Sequence, residues 1–375
     1  MAALIDTVDP DGLMEFSVVF TDRSLNHMSS AFQGVMRDIS TMLKEVYGAD
    51  AVAVVPGGGT FAMEAVARQL GGGAEALVVR NGWFSYRWSQ IFEAGAFTAG
   101  TTVLKARRQG NDAQSPFHPA PIEEVVAKID EVQPDVVFAP HVETSAGVIL
   151  PDTYVQAMSE AAHSVGAVMV LDCVASGAAW IDMRKTGVDV LITAPQKGWS
   201  ASPSAGLVML SERGRDRVKQ RQSDSFAIDL GKWLSIMEIY EDGGHAYHAT
   251  MPTDALRGLR DTMVETRDYG FGRLKEAQWA LGDTVRDILA KKGVRSVAAP
   301  GFGAPGVVVS YTSDPEIQSG RAFAREGMQI AAGVPLQCDE PADFSTFRLG
   351  LFGLDKLYDV DGTVGRLKTV LDRVI

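Results

Sequence analysis

The stretch Ala51-Val-Ala-Val-Val-Pro-Gly-Gly-Gly59, followed by helical spacing of apolar residues from Phe61 to Leu70, decides the fold. A short apolar run that ends in proline and glycines predicts a strand, a tight turn and a helix. The same alternation recurs along the chain, with strands predicted at 76–79, 136–139, 168–171, 188–193 and 206–210 and helices at 122–132 and 153–165. Runs that are apolar throughout are typical of strands buried on both faces. We therefore predict a doubly wound, mostly parallel α/β domain with its ligand crevice at the carboxyl ends of the strands.

The pattern changes after Ser211 to longer helical stretches, of which the one from Thr253 to Leu289 has few breakers. Beyond Lys292 we predict a strand at 306–310, a helix around 316–325, a strand at 346–351 and a last helix from Thr363. The expected organisation is an N-terminal segment 1–45, a large domain 46–255, a connecting helix 256–291 and a small C-terminal α+β domain 292–375.

Composition and charge exclude several classes of protein. The 35 basic and 47 acidic residues give a net charge of -12, which repels nucleic-acid backbones and anionic lipid. Two cysteines, Cys173 and Cys338, cannot form a disulfide framework or a cysteine-based zinc site, and the six histidines form no HExxH pattern, so we expect no metal. Met1 to Pro10 does not have the pattern of a signal peptide, and no apolar run reaches membrane-spanning length. We expect no membrane partner and a cytoplasmic location.

Two polar residues follow neighbouring apolar runs. Asp172 ends the stretch Val168-Met-Val-Leu-Asp-Cys173, and Lys197 lies in Thr193-Ala-Pro-Gln-Lys-Gly-Trp-Ser200. Their separation, 197 minus 172 or 25 residues, suits two adjacent strands joined by a crossover, which brings both groups to one crevice. Pyridoxal phosphate (PLP) needs this pair, because a lysine amine forms the Schiff base and a carboxylate keeps the pyridine nitrogen protonated. The pattern predicts a PLP site with Lys197 and Asp172 as its catalytic residues.

Seven motifs in one order carry a resemblance to a known family. They are Gly57-Gly-Gly-Thr-Phe-Ala-Met-Glu-Ala65, Asn81-Gly-Trp-Phe-Ser-Tyr-Arg87, His141-Val-Glu-Thr-Ser-Ala-Gly147, Asp172-Cys-Val-Ala-Ser176, Gln196-Lys197, Tyr247-His-Ala-Thr250 and Phe347-Arg-Leu-Gly350. From about residue 50 to 353 the sequence resembles the class V PLP-dependent aminotransferases, which include the alanine/serine–glyoxylate enzymes. The resemblance implies fold type I, in which the large, PLP-binding domain has a mostly parallel seven-stranded sheet.

The resemblance also implies roles for individual residues. The implied ligands of the cofactor phosphate are Gly58, Gly59, Thr60 and Gln196, the implied ring contacts are Phe84, Val174 and Thr144, and Arg348 matches the arginine that binds the substrate α-carboxylate. Trp83 is an alternative to Phe84 at the stacking position. Tyr247 and Thr250 match positions that reach the cofactor of the neighbouring subunit, which implies a homodimer with shared active sites.

The chain departs from the family before residue 50, where Phe16-Ser-Val-Val-Phe-Thr-Asp-Arg-Ser24 replaces the usual Gly-Pro segment that lines the substrate pocket. A surface salt bridge is the simpler interpretation of Arg23, and a second contact to an anionic substrate is the alternative. The resemblance implies transfer of an amino group from a small amino acid to a 2-oxo acid, glyoxylate or pyruvate, by a ping-pong mechanism. The donor stays open among alanine, serine and an aminophosphonate.

Two other enzyme classes compete with an aminotransferase. An NADP-dependent oxidoreductase fits Gly57-x-Gly59-x-x-Ala62, but the next strand ends in Arg80-Asn81 where the dinucleotide fingerprint has an acid. A PLP-dependent lyase related to the cysteine desulfurases needs a cysteine on a mobile loop well before the carboxylate-binding arginine. Here Cys338 lies only 348 minus 338, or 10, residues before Arg348. A serine hydrolase is excluded, because Gly198-Trp-Ser-Ala-Ser202 lacks the closing glycine of a nucleophile elbow.

Overall fold

A central sheet organises the large part of the chain in the computed structural model, which describes residues 8–375. Its seven strands are β1 (Ala51–Pro56), β2 (Glu75–Arg80), β3 (Gly100–Lys105), β4 (Val136–Pro140), β5 (Val168–Asp172), β6 (Val190–Thr193) and β7 (Ala205–Leu210). They are ordered β1-β7-β6-β5-β4-β2-β3. Only β7 runs antiparallel to its neighbours, so the predicted α/β fold with a mostly parallel sheet of seven strands is confirmed.

The burial of each strand explains whether its sequence pattern predicts it. Strands β4, β5, β6 and β7 are buried along their whole length, which suits their continuous apolar runs. Strand β3, at one edge, is mostly half-buried and begins with Gly100-Thr-Thr, so it carries no such run. For that reason, the sequence analysis did not predict strand β3.

Helices cover both faces of the sheet. The helices of this part of the chain are α1 (Ser30–Tyr47), α2 (Gly59–Gly71), α3 (Trp83–Gly95), α4 (Ile122–Val132), α5 (Asp152–Ser164), α6 (Met183–Thr186), α7 (Glu212–Gln220) and α8 (Leu230–Glu241). Trp88 and Phe92 of α3 pack on Phe138 of β4, with ring centroids 4.6 and 5.3 Å apart. This contact fixes α3, whose first turn lies at the carboxyl edge of the sheet.

The expected connecting helix at 256–291 is two helices. Helix α9 (Thr253–Tyr269) ends before Gly270, and α10 (Phe271–Lys291) begins after it. Gly270 has φ 107°, a value that side chains other than glycine rarely adopt, so the helix cannot continue through it. The apolar spacing predicted helix on both sides of Gly270 but did not predict the break.

The C-terminal part contains a small antiparallel sheet. Its strands are β8 (Val307–Tyr311), β9 (Ala331–Ala332) and β10 (Thr346–Gly350), with β10 in the middle. The helix expected around 316–325 is split by Gly320, at φ 79°, into α11 (Pro315–Gln318) and α12 (Arg321–Arg325). Helices α13 (Leu354–Tyr358) and α14 (Val360–Val374) close the chain, so the last helix starts before Thr363. The domain boundaries themselves stay a prediction.

The beginning of the chain is partly described. Residues 1–7 of the predicted N-terminal segment lie outside the described residues, and from residue 30 onward that segment is helix α1, which packs on α8 and α9. In the described segment before α1, the side chains of Leu13, Phe16 and Val18 are exposed. Among residues 8–375, no helix combines the length and the apolar character that a membrane crossing requires.

Candidate active site

The ends of three strands meet at one edge of the central sheet. Strand β5 ends at Asp172, β6 ends at Thr193 shortly before Lys197, and β1 ends at Pro56 before the glycine turn. Strand β6 pairs in parallel with β5, with Ile192 opposite Asp172, so the residues that follow both strands emerge together. Strand β1 runs in the same direction as β6, because both are antiparallel to β7. The two predicted catalytic residues therefore share this edge with the glycine turn.

Lys197 is half-buried in the loop between β6 and β7. Its ammonium nitrogen lies 5.1 Å from the centroid of the Phe352 ring. Burial lowers the pKa of Lys197, and the positive charge of Arg348 lowers it further. The loop is held by Ser200, which has φ 55° and whose hydroxyl accepts a hydrogen bond of 2.8 Å from the Leu354 amide. A lysine with a lowered pKa is more often neutral, which makes it a nucleophile for a carbonyl carbon.

Asp172 is 8% exposed, and one of its oxygens accepts a 2.9 Å hydrogen bond from the amide of Val174. Burial raises the pKa of Asp172 to about 6, the nearby Glu143 carboxylate also raises it, and the Val174 bond and Arg87 oppose the rise. A buried carboxylate of this kind is stabilised as an anion by a cation placed against it. Asp172 is thus suited to hold a protonated ring nitrogen.

The glycine turn opens helix α2 beside Asp172. Gly58 precedes the helix with no side-chain cap, and the first turn contains no acidic residue. A Cβ atom on Gly59 would lie 2.9 Å from a methyl group of Val174, so glycine is required there by close approach. The hydroxyl of Thr60 accepts a 2.9 Å hydrogen bond from Arg87. Free backbone amides at a helix N-terminus, with a cation nearby, form a site suited to a phosphate.

Phe84 lies in the first turn of α3, is half-buried and has two arginines close to its ring. The guanidinium carbon of Arg87 lies 5.3 Å from the centroid of its ring, and that of Arg348 lies 5.7 Å from it. Arg348 belongs to β10, and its Nε donates a 2.8 Å hydrogen bond to the carbonyl of Ala332. The small sheet therefore brings an arginine to the edge of the large one, next to Phe84 and close enough to Lys197 to affect its pKa.

Two predicted cofactor ligands lie on loops at this edge. Thr144 is half-buried and directly follows the short strand Val142–Glu143. Gln196 is exposed and precedes Lys197. Both side chains are at least partly accessible, so both can be reached by a ligand.

Tyr247 and Thr250 lie apart from this group. Tyr247 is 54% exposed, its hydroxyl is 3.2 Å from that of Thr250, and its ring packs against His27 at 5.6 Å. Within the described part of the chain, no hydrogen bond or ring contact joins either residue to Lys197 or Asp172. The structure of the chain does not bring these two residues to the predicted cofactor site.

Sequence reasoning gave no role to Arg87 or Phe352 and expected Glu143 only to order the loop that carries Thr144, although all three contact or influence the site. Arg87 lies one helical turn after Phe84, a spacing that predicts a shared helix face. Glu143 lies within the quoted motif His141 to Gly147, but two of its partners, Phe84 and Ser85, are distant in sequence. Phe352 follows Arg348 by four residues, across the end of a strand, and only the tertiary structure shows that it reaches Lys197.

The parts of PLP can be compared with these residues. The cofactor has a phosphate, an aromatic ring whose nitrogen is protonated when an acid faces it, and an aldehyde that reacts with an amine. The edge of the sheet supplies a capless helix N-terminus, a half-buried aromatic ring, a buried carboxylate and a lysine with a lowered pKa. The residues present fit the group.

The comparisons with known proteins agree with this fit. The family model described as "Aminotransferase class-V" matches residues 14–300, which is more than half of the chain. The family match and the curated relatives are those of a PLP-dependent transaminase. The chain belongs to the class-V aminotransferase family. The match begins at residue 14, so it includes most of the segment before residue 50 in which we expected the chain to depart from the family. The match ends at residue 300, before Arg348.

Curated relatives and solved structures cover most of the chain. It is 25% identical over 332 residues to alanine–glyoxylate aminotransferase 1 of Saccharomyces cerevisiae, covering 83% of this chain and 82% of that protein. It is 26% identical over 356 residues to a 2-aminoethylphosphonate–pyruvate transaminase of Paraburkholderia phymatum, covering 92% and 90%. A crystal structure of an alanine–glyoxylate aminotransferase from Nostoc sp. has a TM-score of 0.77 at 21% identity, covering 92% of this chain and 89% of that one. This last similarity supports the fold.

The raised pKa of Asp172 predicts a pH dependence of stability in the cofactor-free protein. The folded pKa, about 6, lies above the ordinary value of 3.8, so the folded chain binds the proton more tightly and stability falls as pH rises between these values. Asp172→Asn removes this fall. From pH 4.5 to 7.5, the stability of the variant should therefore rise relative to wild type by on the order of 2 kcal/mol, as measured by urea unfolding. Asp268→Asn, at an exposed carboxyl group, is the control. Parallel pH profiles for wild type and Asp172→Asn would contradict the burial argument.

Proposed function

We propose that the enzyme transfers the amino group of a small amino acid to a 2-oxo acid, with glyoxylate or pyruvate as acceptor. The transfer runs by a ping-pong mechanism with Lys197 as the residue of Schiff-base attachment. The observation that carries the proposal is the parallel pairing of β5 and β6, which brings Asp172 and Lys197 to one edge beside the glycine turn. The named activities of the yeast and Paraburkholderia relatives support both the acceptors and the open choice of donor.

The proposed roles follow the positions of the side chains. Lys197 and Asp172 are catalytic; Gly58, Gly59, Thr60 and Gln196 hold the cofactor phosphate; Phe84 and Val174 pack on the ring; Thr144 lies near the phenolic oxygen; and Arg348 binds the substrate α-carboxylate. The planar guanidinium of Arg348 suits a carboxylate because it can donate two parallel hydrogen bonds. Contact between Gly59 and Val174, and between Phe84 and Arg348, supports one continuous site.

The chemistry divides between the cofactor and the chain. PLP, when bound, supplies an electron-accepting ring. Asp172 keeps the ring nitrogen protonated, and Arg348 orients the substrate by its carboxylate. Lys197, when free of the cofactor, would take the proton from the substrate Cα as a general base and would deliver it to C4′ of the cofactor as a general acid. The lowered pKa of Lys197 favours its neutral form, which is the form that can accept this proton.

A lyase of the cysteine desulfurase type is disfavoured by the state of Cys338. Its thiol is buried and donates to the carbonyl of Arg80 at 3.4 Å. Burial raises the pKa of the thiol to about 12, whereas a cysteine nucleophile must be an accessible thiolate. This supports transamination over the lyase alternative.

We further propose a homodimer in which each subunit completes the partner's phosphate site with Tyr247 and Thr250. Both residues are exposed in one subunit, and Phe226 nearby is an exposed aromatic residue at 78%, in ring contact with His248. Exposed aromatic side chains close to polar ones are typical of a protein interface. A two-fold axis would place this surface across from its own copy.

The proposed reaction predicts a defined result in a screen of alanine, serine and 2-aminoethylphosphonate against glyoxylate and pyruvate. At least one pair should give transfer, and initial rates at several fixed acceptor concentrations should give parallel double-reciprocal lines, because the two substrates react in separate halves of a ping-pong cycle. The omission of the acceptor provides the control. Intersecting lines would contradict the ping-pong mechanism, and deamination without transfer would favour a lyase.

Covalent attachment predicts that Lys197 is labelled. Borohydride reduction of the holoenzyme, followed by peptide mapping, should place the cofactor mass on Lys197. Lys197→Ala should lower kcat by on the order of 10²–10⁴-fold, the usual contribution of a positioned general base. Lys185→Ala, at a side chain that is 82% exposed, should change neither result. A label on another lysine would refute the assignment.

Shared sites predict complementation between two inactive variants. One subunit carries Lys197→Ala, and the other carries Tyr247→Phe with Thr250→Ala. Random pairing makes half of the dimers hybrids with one complete site each, so activity should return to about a quarter of wild type. Differently tagged subunits allow the hybrid to be isolated. An inactive hybrid that is shown to form would mean that the loop acts within its own chain.

A further inference from the structure

Glu143 is a fully buried carboxylate with an unusual number of hydrogen-bond donors. Its Oε1 accepts from the amide of Phe84 at 3.2 Å and from the amide and hydroxyl of Ser145 at 3.0 and 2.7 Å. Its Oε2 accepts from the amide and hydroxyl of Ser85 at 2.9 and 2.7 Å. Burial of a carboxylate is costly unless its oxygens are satisfied in this way.

These bonds join two segments that are far apart in sequence. Phe84 and Ser85 lie in the first turn of α3, where orphan amides and the helix dipole favour an anion. Ser145 belongs to the loop that carries Thr144, and its hydroxyl also accepts a 2.9 Å hydrogen bond from the Trp83 amide. Three consecutive amides of α3 are therefore fixed to this loop.

The close approach of the two segments depends on a glycine. A Cβ atom on Gly82 would lie 2.7 Å from the Cγ of Glu143 and would also overlap the Ser145 hydroxyl. The φ of Gly82 is 165°, so the backbone is extended and any residue could adopt it; only the lack of space requires glycine. The loop and the helix are in direct contact at this point, with Glu143 between them.

We propose that Glu143 is a positioning residue for the cofactor, which fixes the Phe84 ring and the Thr144 hydroxyl relative to each other before the cofactor binds. The proposal rests on the cofactor roles given above to Phe84 and Thr144. Glu143 holds the amide of Phe84, which carries the ring, and the amide of Ser145, which follows Thr144. The ring and the Thr144 hydroxyl are therefore already ordered, and cofactor binding does not have to offset the entropy of ordering them. Glu143 does not contact the cofactor itself; it acts through the two segments.

The charge of Glu143 has a second effect on the site. It opposes the lowering of the Arg348 pKa by burial, and it raises the pKa of Asp172. A neutral amide in its place would leave the arginine less well compensated and the aspartate more easily ionised. Glu143→Gln should therefore change the pH dependence of cofactor binding as well as its strength, which a role in packing alone would not do.

A matched control lies at the opposite edge of the sheet. Asp189, just before β6, is also a buried carboxylate with several donors: the Met169 amide at 2.9 Å, the Ser211 hydroxyl at 3.2 Å and the His163 ring nitrogen at 2.9 Å. Asp189→Asn replaces one buried carboxylate by an amide, as Glu143→Gln does. Both variants should lose stability, because each places an amide donor against donors.

Cofactor affinity separates a positioning role from a structural one. Fluorescence titration of the cofactor-free protein at several pH values gives the dissociation constant of PLP. This constant should rise about tenfold or more in Glu143→Gln. It should rise less than about twofold in Asp189→Asn, when the two variants are compared at equal loss of stability. Circular dichroism of the bound cofactor should change only in Glu143→Gln. Equal losses of affinity in the two variants would overturn the proposal. Ser145→Ala, a milder change at the same contact, should show a smaller effect of the same kind and serves if Glu143→Gln does not fold.

A double-mutant cycle tests whether Glu143 acts through Phe84. Glu143→Gln should weaken PLP binding much less in a Phe84→Ala background than in wild type, whereas its effect should be undiminished in a Gln196→Ala background. If Phe84→Ala weakens binding and the two effects simply multiply, only the positioning role of Glu143 is overturned. If Phe84→Ala binds PLP as wild type does, the stacking role in the proposed function is overturned and this inference with it.

Discussion

The pairing of β5 with β6 in parallel and in one register is the constraint on which the site depends. With Ile192 opposite Asp172, the acid ends its strand next to the strand that leads into the lysine loop. A shift of one residue would turn the alternate side chains of β6 to the other face of the sheet. Both strands are buried along their whole length, so such a shift would force their side chains to repack on both faces of the sheet. The core of the sheet therefore also helps to fix the geometry of the site.

Burial has opposite effects on the two groups that this pairing brings together. It raises the pKa of Asp172 and lowers that of Lys197, so in both cases the neutral form gains. In the proposed site, the basic ring nitrogen of PLP would stabilise the anionic form of Asp172, and its aldehyde would react with the neutral amine of Lys197. The same low-polarity surroundings thus prepare an acid for ion pairing and an amine for attack on a carbonyl.

The sequence predicted the parts of the structure that depend on local pattern. Apolar runs identified the buried strands, and the glycines before Thr60 identified the start of α2. Asp172 is the last residue of its strand, as predicted, and Lys197 lies in the loop that follows the next one. Edge strand β3 and the break at Gly270 were not predicted, because the first has too few apolar residues and the second depends on one backbone angle. The hydrogen bonds of Glu143 were out of reach for another reason: they join residues 58 or more positions apart as well as near neighbours.

The position of Arg348 links anion binding to protonation. Its charge lowers the pKa of Lys197, so an anion that neutralises the guanidinium removes part of this repulsion. Thermodynamic linkage then requires the reverse effect of equal size: a proton on Lys197 strengthens the binding of the anion at Arg348. With the proposed role of Arg348, the two sites would be coupled without any change of shape: the free lysine would become more basic when a carboxylate binds and less basic when it leaves.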